Sequence, residues 1–407
     1  MTTVIKKFSN MLFAFVLCAG LVMTSCETAD PAGKDPNNSD IIVFADDIVK
    51  QSCVDVFDTD GDGEISYGEA AAVTDLSDIT LRFVKDFLTF DEFQYFINVK
   101  SIPDRFFSRC KYLKSIMLPK SLKTIGSGAF DRCTGLTEIE FPQGLKTIGD
   151  SAFNGCTGLT EVVFPEGLET IGNEAFYECT GLTEIEFPQG LETIGSYAFS
   201  LCTSLTKIEF PEGLETIGDS AFWGCTSLTN IEFPEGLETI EMNAFQGCTS
   251  LTKIELPEGL ETIGMKAFRF CTSLTKIELP EGLETIGMYA FQECTSLTKI
   301  ELPEGLETIG MYAFSHCTSL TKIEFPEGLE TIGMDAFCLC TSLTSIFVKA
   351  EIPPYIDSYK YGLFPFNDDM TIYVPYNKVD VYKNTDIWRS YHEYIVGYDY
   401  ENNKVVE

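Results

Sequence analysis

The stretch Phe210–Glu232 reads F-P-E-G-L-E-T-I-G-D-S-A-F-W-G-C-T-S-L-T-N-I-E, and the chain repeats this 23-residue phrase with few changes. Ten copies run without insertion from Leu118 to Phe347 on the pattern (F/L)-P-x-G-L-x-T-I-G-x-x-A-F-x-x-C-T-x-L-T-x-(I/V)-x. They start at Leu118, Phe141, Phe164, Phe187, Phe210, Phe233, Leu256, Leu279, Leu302 and Phe325. Ser121 and Glu241 each stand where the pattern has glycine. A worn copy precedes them, with Val99, Ile102, Phe106, Cys110, Leu113 and Ile116 in register. A fixed period of this length specifies a solenoid, in which each unit buries its apolar side only against its neighbours.

Within one unit, Leu205, Ile208 and Phe210 follow L-x-x-I-x-F, the strand pattern of a leucine-rich repeat. Leu214, Ile217, Ala221, Phe222 and Cys225 complete the inward set. Pro211, Glu212 and Gly213 make the turn after the strand, and Gly218 permits a second bend. Alternation along the strand puts Lys207 and Glu209 on the outer face, opposite Ile208. The expected fold is therefore an α/β-type solenoid, a leucine-rich-repeat stack of 23-residue units with a parallel sheet. Eleven copies at about 4.8 Å each give a core roughly 50 Å long. A small helical calcium-binding segment precedes the stack, and a C-terminal cap closes it.

The outward columns carry charge. The residue before the central Ile or Val is Glu138, Glu161 and Glu184 in the early copies. Later it is Lys207, Asn230, Lys253, Lys276, Lys299 and Lys322. The residue after it is glutamate from Glu140 to Glu324, interrupted by Val163. Like charges stacked on neighbouring strands destabilise, and a lysine column offsets this only in the later copies. Glu138, Glu140, Glu161, Val163, Glu184 and Glu186 form the candidate partner-binding face, an acidic surround with an apolar centre. Taken column by column, a solvated, solubilising face is the plainer expectation. The net charge of −34 argues against nucleic acid, which needs a basic footprint.

Asp58–Glu69 reads D-T-D-G-D-G-E-I-S-Y-G-E, a complete EF-hand loop. Asp58, Asp60 and Asp62 supply carboxylates, Gly63 makes the sharp turn, and Glu64 offers its carbonyl. Ser66 reaches the ion directly or through water, and Glu69 closes the site with both oxygens. Hard oxygens in this number suit calcium as the cofactor. Apolar residues from Ile48 to Phe57 recur at helical spacing, and Ala70, Ala71 and Ala72 open a second helix. One loop without a partner loop is expected to bind weakly, in the ~10⁻⁴ to 10⁻³ M range of extracellular modules.

The first residues form a targeting segment. Lys6 and Lys7 precede an apolar run from Met11 to Met23 that is too short for a permanent membrane span. Thr24, Ser25 and Cys26 then resemble the end of a bacterial lipoprotein signal, with lipid on the Cys26 thiol. The expected organisation is signal peptide 1–25, flexible tether 26–40, calcium segment 41–92, solenoid 93–347 and cap 348–407. Cysteine recurs every 23 residues from Cys110 to Cys340. Side chains in register lie near 4.8 Å apart, whereas bridged Cβ atoms lie at about 3.8 Å, so free buried thiols are expected.

The repeats, the EF-hand loop and the closing segment together resemble the BspA-like leucine-rich-repeat lipoproteins of Bacteroides-type bacteria. The specific part is I-G-x-x-A-F-x-x-C-x-x-L-x-x-I. In the tail it is Ile352-Pro353-Pro354, Ile372-Tyr373-Val374-Pro375 and Val381-Tyr382-Lys383 through Trp388. The resemblance implies an exported protein, lipid-anchored at the bacterial outer membrane and facing outward, that adheres to host or matrix proteins or surface glycans. It is expected to be a monomer that meets the membrane only through its lipid. The alternatives are a structural surface-assembly component without a dedicated ligand and a carboxylate-dependent glycan hydrolase. No enzyme is expected: His316 sits at an exposed turn position, His392 sits in the cap, and the carboxylates recur in most copies without singling out a site.

Overall fold

The computed structural model describes residues 40–79, 86–357, 362–365 and 368–406. The signal segment, the tether and the lipidation residue Cys26 lie outside the described residues.

Each coil of the stack has three sides. The first is a short strand such as Lys207–Glu209, with Ile208 inward and its two neighbours outward. The second is a two-residue Thr-Ile strand such as Thr216–Ile217. The third, across A-F-x-x-C, is a run of tight turns with no helix. Chain direction reverses there because residues such as Ser220 (φ 57°) and Gly224 (φ 72°) take left-handed backbone.

Strands stack in register and in parallel, with Ile208 beside both Ile185 and Ile231. The first side builds a 12-stranded sheet from Glu161–Val163 to Lys404–Val406. The second side builds two six-stranded sheets, one ending at Thr216–Ile217 and the next starting at Thr239–Ile240. Near the N-terminus, Thr89–Phe90 pairs with Ser115–Ile116, so stacking begins before residue 93.

The inward residues make one continuous core. Phe176 and Phe199 stack face to face at 5.2 Å, in a phenylalanine ladder that runs from Phe107 to Phe337. A second ladder, Phe141 to Phe233, meets the first edge-on, as with Phe187 and Phe199 at 5.6 Å and 73°. Each fully buried ring contributes about 1.5–3 kcal/mol by leaving water. All 13 described cysteines are free. In the column the thiols donate between coils, as from Cys202 Sγ to the Phe176 carbonyl at 3.3 Å.

A repeat stack needs both ends closed. At the C-terminus Thr371–Pro375 and Ile395–Asp399 extend the 12-stranded sheet, and antiparallel Lys404–Val406 ends it. Beneath them Trp388 Nε1 donates to the Pro354 carbonyl at 3.0 Å, and Tyr382 Oη donates to Ala350 at 2.7 Å. At the N-terminus, helices α1 (Asp47–Phe57) and α2 (Tyr67–Ala72) flank the Asp58–Glu69 loop. The buried Val49 and Cys53 of α1, Ile65 of the loop and Ala70 of α2 join the solenoid core through Phe87, Phe90, Phe93 and Phe96.

Candidate calcium loop and outer face

Helix α1 starts at Asp46, whose carboxylate accepts from Ile48 N–H at 2.9 Å and from Leu88 N–H at 2.9 Å. The helix ends where the acidic loop begins. Asp58 accepts from Gly61 and Gly63 N–H at 2.7 and 2.9 Å, which folds the loop around its carboxylate. Gly61 (φ 78°) and Gly63 (φ 81°) supply the left-handed backbone this needs. Asp60 accepts from Asp62 N–H at 3.1 Å, and Asp62 accepts from Glu64 N–H at 2.8 Å.

Glu69 opens α2 and closes the loop. Its Oε1 accepts from Thr59 N–H at 2.6 Å, and its Oε2 accepts from Ser66 N–H at 2.9 Å. Ser66 Oγ in turn accepts from Glu69 N–H at 3.1 Å, completing a capping box. Partial burial alone would raise the Glu69 carboxyl. Hydrogen bonds from Ser66 and Thr59 outweigh it and bring the pKa down to about 2.

Carboxylate oxygens of Asp58, Asp60 and Glu69 lie within 4.8 Å of one another. Three hard anionic donors converging at this range fit a calcium ion. Asp62 stands in the loop but outside that converging set. The Glu64 side chain turns away to Lys50, Nζ to Oε1 2.7 Å, leaving its carbonyl as its remaining donor. Ser66 is engaged with Glu69.

The sequence reading missed what backs this loop. Ile42 N–H donates to the Ile65 carbonyl at 2.8 Å, Ile41 bridges Ser66 antiparallel, and Tyr67 N–H donates to Asp40 at 3.0 Å. The segment 40–42 thus supplies the short strand that a second loop would otherwise provide. The apolar pair Ile41-Ile42, directly after the polar stretch, was the available signal.

On the outer face the acidic columns lie as expected. Glu161 pairs with Glu184 in register, and Val163 pairs with Glu186. Glu140 makes only an isolated bridge to Val163, so the regular ladder starts at Glu161. Val163 is 60% exposed. Further along, Lys207 bonds Glu209 at 2.9 Å and Glu232 at 3.3 Å, and Lys322 bonds Glu324 at 3.2 Å. Lys253, Lys276 and Lys299 pair with Glu255, Glu278 and Glu301.

At the far end the outer column changes from Glu324 to Phe347 and Tyr373. These rings stack at 4.3 Å, Tyr398 meets them edge-on, and Lys322 Nζ sits 4.4 Å over Phe347. This aromatic end went unnoticed in the sequence, although Phe347 and Tyr373 directly follow inward Ile346 and Ile372.

His316 is half-buried rather than exposed. Its Nδ1 lies 2.8 Å from Ser315 Oγ, which lies 3.1 Å from Cys338 Sγ. Ser315 and Cys338 are buried, and burial raises the Cys338 thiol, which disfavours a nucleophilic thiolate. His392 is exposed, with Nδ1 3.1 Å from the Arg389 carbonyl. No helix among the described residues is long and apolar enough to cross a membrane.

A three-sided stack with charged outer columns is a binding scaffold in form. The chain belongs to the BspA-type leucine-rich-repeat family, whose model matches in overlapping stretches, 83–203, 169–281 and 261–364. Proteins of this family are surface-associated, and leucine-rich-repeat proteins are typically non-enzymatic scaffolds. A leucine-rich repeat protein from Bacteroides ovatus is 30% identical with a TM-score of 0.56, covering 73% of this chain and 85% of that one. The leucine-rich repeat protein of T. pallidum is 32% identical over 44% of this chain and 72% of its own, with a TM-score of 0.33. The pneumococcal vaccine antigen PcpA is 22% identical over 74% and 76%, with a TM-score of 0.44. No curated protein matches the chain.

Proposed function

We propose that this protein is a calcium-binding, lipid-anchored surface scaffold that holds a host or matrix protein on its acidic outer face. The single observation carrying the reading is Val163, 60% exposed and in register with Glu186 in a stretch of strands that has no lysine column. Low-dielectric walls bearing one sign of charge concentrate the field there. A basic protein patch with an apolar centre complements that surface. Calcium in the Asp58–Glu69 loop neutralises converging carboxylates and holds the N-terminal cap on the first coil; Cys26 carries the lipid.

Capture from extracellular matrix with the soluble fragment from Asp40 onward tests this. A saturable basic partner, lost when Glu138, Glu140, Glu161, Glu184 and Glu186 become glutamine, supports it. A partner that binds the glutamine variant equally well moves the interface to the cap. Absence of any saturable partner leaves a structural surface-assembly role.

A further inference from the structure

The second-side ladder is broken at one place, between Ile217 and Thr239. The strand that follows the break, Thr239–Ile240, ends one residue before Glu241, which replaces the glycine of T-I-G. At the other copies this glycine has no room for a side chain. A Cβ built on Gly218 would lie 2.6 Å from Ser196 N, and one on Gly195 would lie 2.6 Å from Asn173 N. These are backbone atoms of the preceding coil, and no real Cβ tolerates such a distance. Glu241 carries a Cβ, so the coil beneath it has to move away.

Three further observations show that it has moved. Gly218 N–H donates to Ile194 at 2.9 Å and Gly264 N–H donates to Ile240 at 2.8 Å, but the equivalent bond from Glu241 to Ile217 is missing. A Cβ on Gly213 or Gly259 would meet the preceding coil's carbonyl at 3.3 or 3.2 Å, whereas one on Gly236 meets nothing within 4 Å. A groove of about 600 Å³ opens there, walled by Leu214, Thr216, Ile217, Glu238 and Glu241. On the first side Asn230–Glu232 meets Lys253–Glu255 at one register pair, against three for its pairing with Lys207–Glu209, and Lys299–Glu301 meets Lys322–Phe325 at one as well, so the thinning there is not tied to Glu241. The third side stays joined: Phe222 N–H donates to Ala244 at 2.9 Å, Gly224 N–H donates to Gln246 at 2.8 Å, and Phe222 stacks on Phe245 at 5.6 Å.

We infer that Glu241 is a steric wedge that divides the solenoid into two stiff halves, hinged along the turns between Phe222 and Phe245. In a repeat stack, stiffness comes from nearest-neighbour interfaces, so opening the second side of one interface while the third side stays joined localises bending there. The acidic N-terminal half and the lysine-bearing C-terminal half then change their mutual angle without unfolding either one.

The test separates the Cβ from the charge. In the full mature chain, Glu241→Gly removes the wedge, Glu241→Ala keeps a Cβ and removes the charge, and Glu241→Gln keeps the size. Native-state hydrogen exchange of the segment 236–242 is the first readout. It is expected to be equally fast in wild type, Ala and Gln, and to slow about tenfold or more in Gly as the ladder closes. The second readout is the distance distribution between dyes on bio-orthogonal residues at Lys146 and Lys299, expected to narrow in Gly alone. Exchange as slow in Ala as in Gly would show that charge, not the Cβ, opens the ladder. A Gly variant that exchanges like wild type, or whose distance distribution stays as broad, overturns the hinge.

Discussion

Asn98 donates its side-chain amide to the Ala71 carbonyl at 2.7 Å and so ties the last turn of α2, the helix that closes the Asp58–Glu69 loop, to the first coil of the solenoid. Edge-on contact between Tyr67 and Tyr95 at 4.8 Å and between Phe57 and Phe96 at 5.8 Å supports the same junction. The helix that carries Glu69 is therefore part of the end cap, and whatever steadies the loop steadies the stack.

Calcium is expected to raise the unfolding temperature of the mature chain. Binding only the folded loop at ten times Kd adds about 1.4 kcal/mol. Glu69→Gln should abolish the calcium response, because it removes the closing carboxylate. Asn98→Ala should retain calcium binding by calorimetry while transmitting less of it to the solenoid. Absence of calcium heat at millimolar concentrations refutes the site.

The column thiols should resist alkylation in the native protein up to moderately alkaline pH and react at once on denaturation. Burial pushes the Cys225 thiol from an ordinary 9.0 up to about 12. A folded pKa raised above the unfolded one contributes stability that is full below pH 9 and lost as pH rises toward 12. Thermal stability should therefore fall between those limits, and less so in Cys225→Ala relative to its own neutral-pH value. Extensive disulfide bridging by mass spectrometry would contradict the free-thiol stack.

Phe222→Ala should cost ~3–5 kcal/mol, since the ring is fully buried between Phe199 and Phe245. Glu212→Ala, on an exposed turn, should stay within about 0.5 kcal/mol. Urea unfolding of both variants checks the inward and outward assignment, which equal effects would refute.

Once a partner is captured, Val163→Glu should shorten the lifetime of its complex, because an apolar anchor mainly sets dissociation. Replacing the flanking glutamates with glutamine should slow association and flatten its salt dependence, because rim charges steer encounter. Surface plasmon resonance at several salt concentrations separates the two effects. Unchanged kinetics in both variants would place the interface elsewhere.

Periodicity alone determined the parallel stack, the inward Leu, Ile, Phe, Ala and Cys columns and the outward Lys and Glu columns. A strict repeat offers each repeat position only one environment, so pattern and burial coincide. The turn of the loop from Asp58 to Glu69 was legible for the same reason: the left-handed backbone at Gly63 depends on spacing within one short segment. The tertiary structure alone decided what depends on contacts distant in sequence. It places segment 40–42 behind the Asp58–Glu69 loop, sends Glu64 to Lys50, and latches Asn98 to Ala71. It also turns a one-residue departure at Glu241 into a broken ladder. The sequence marks that residue as an exception, but the consequence appears only where its Cβ meets the backbone of the coil stacked against it.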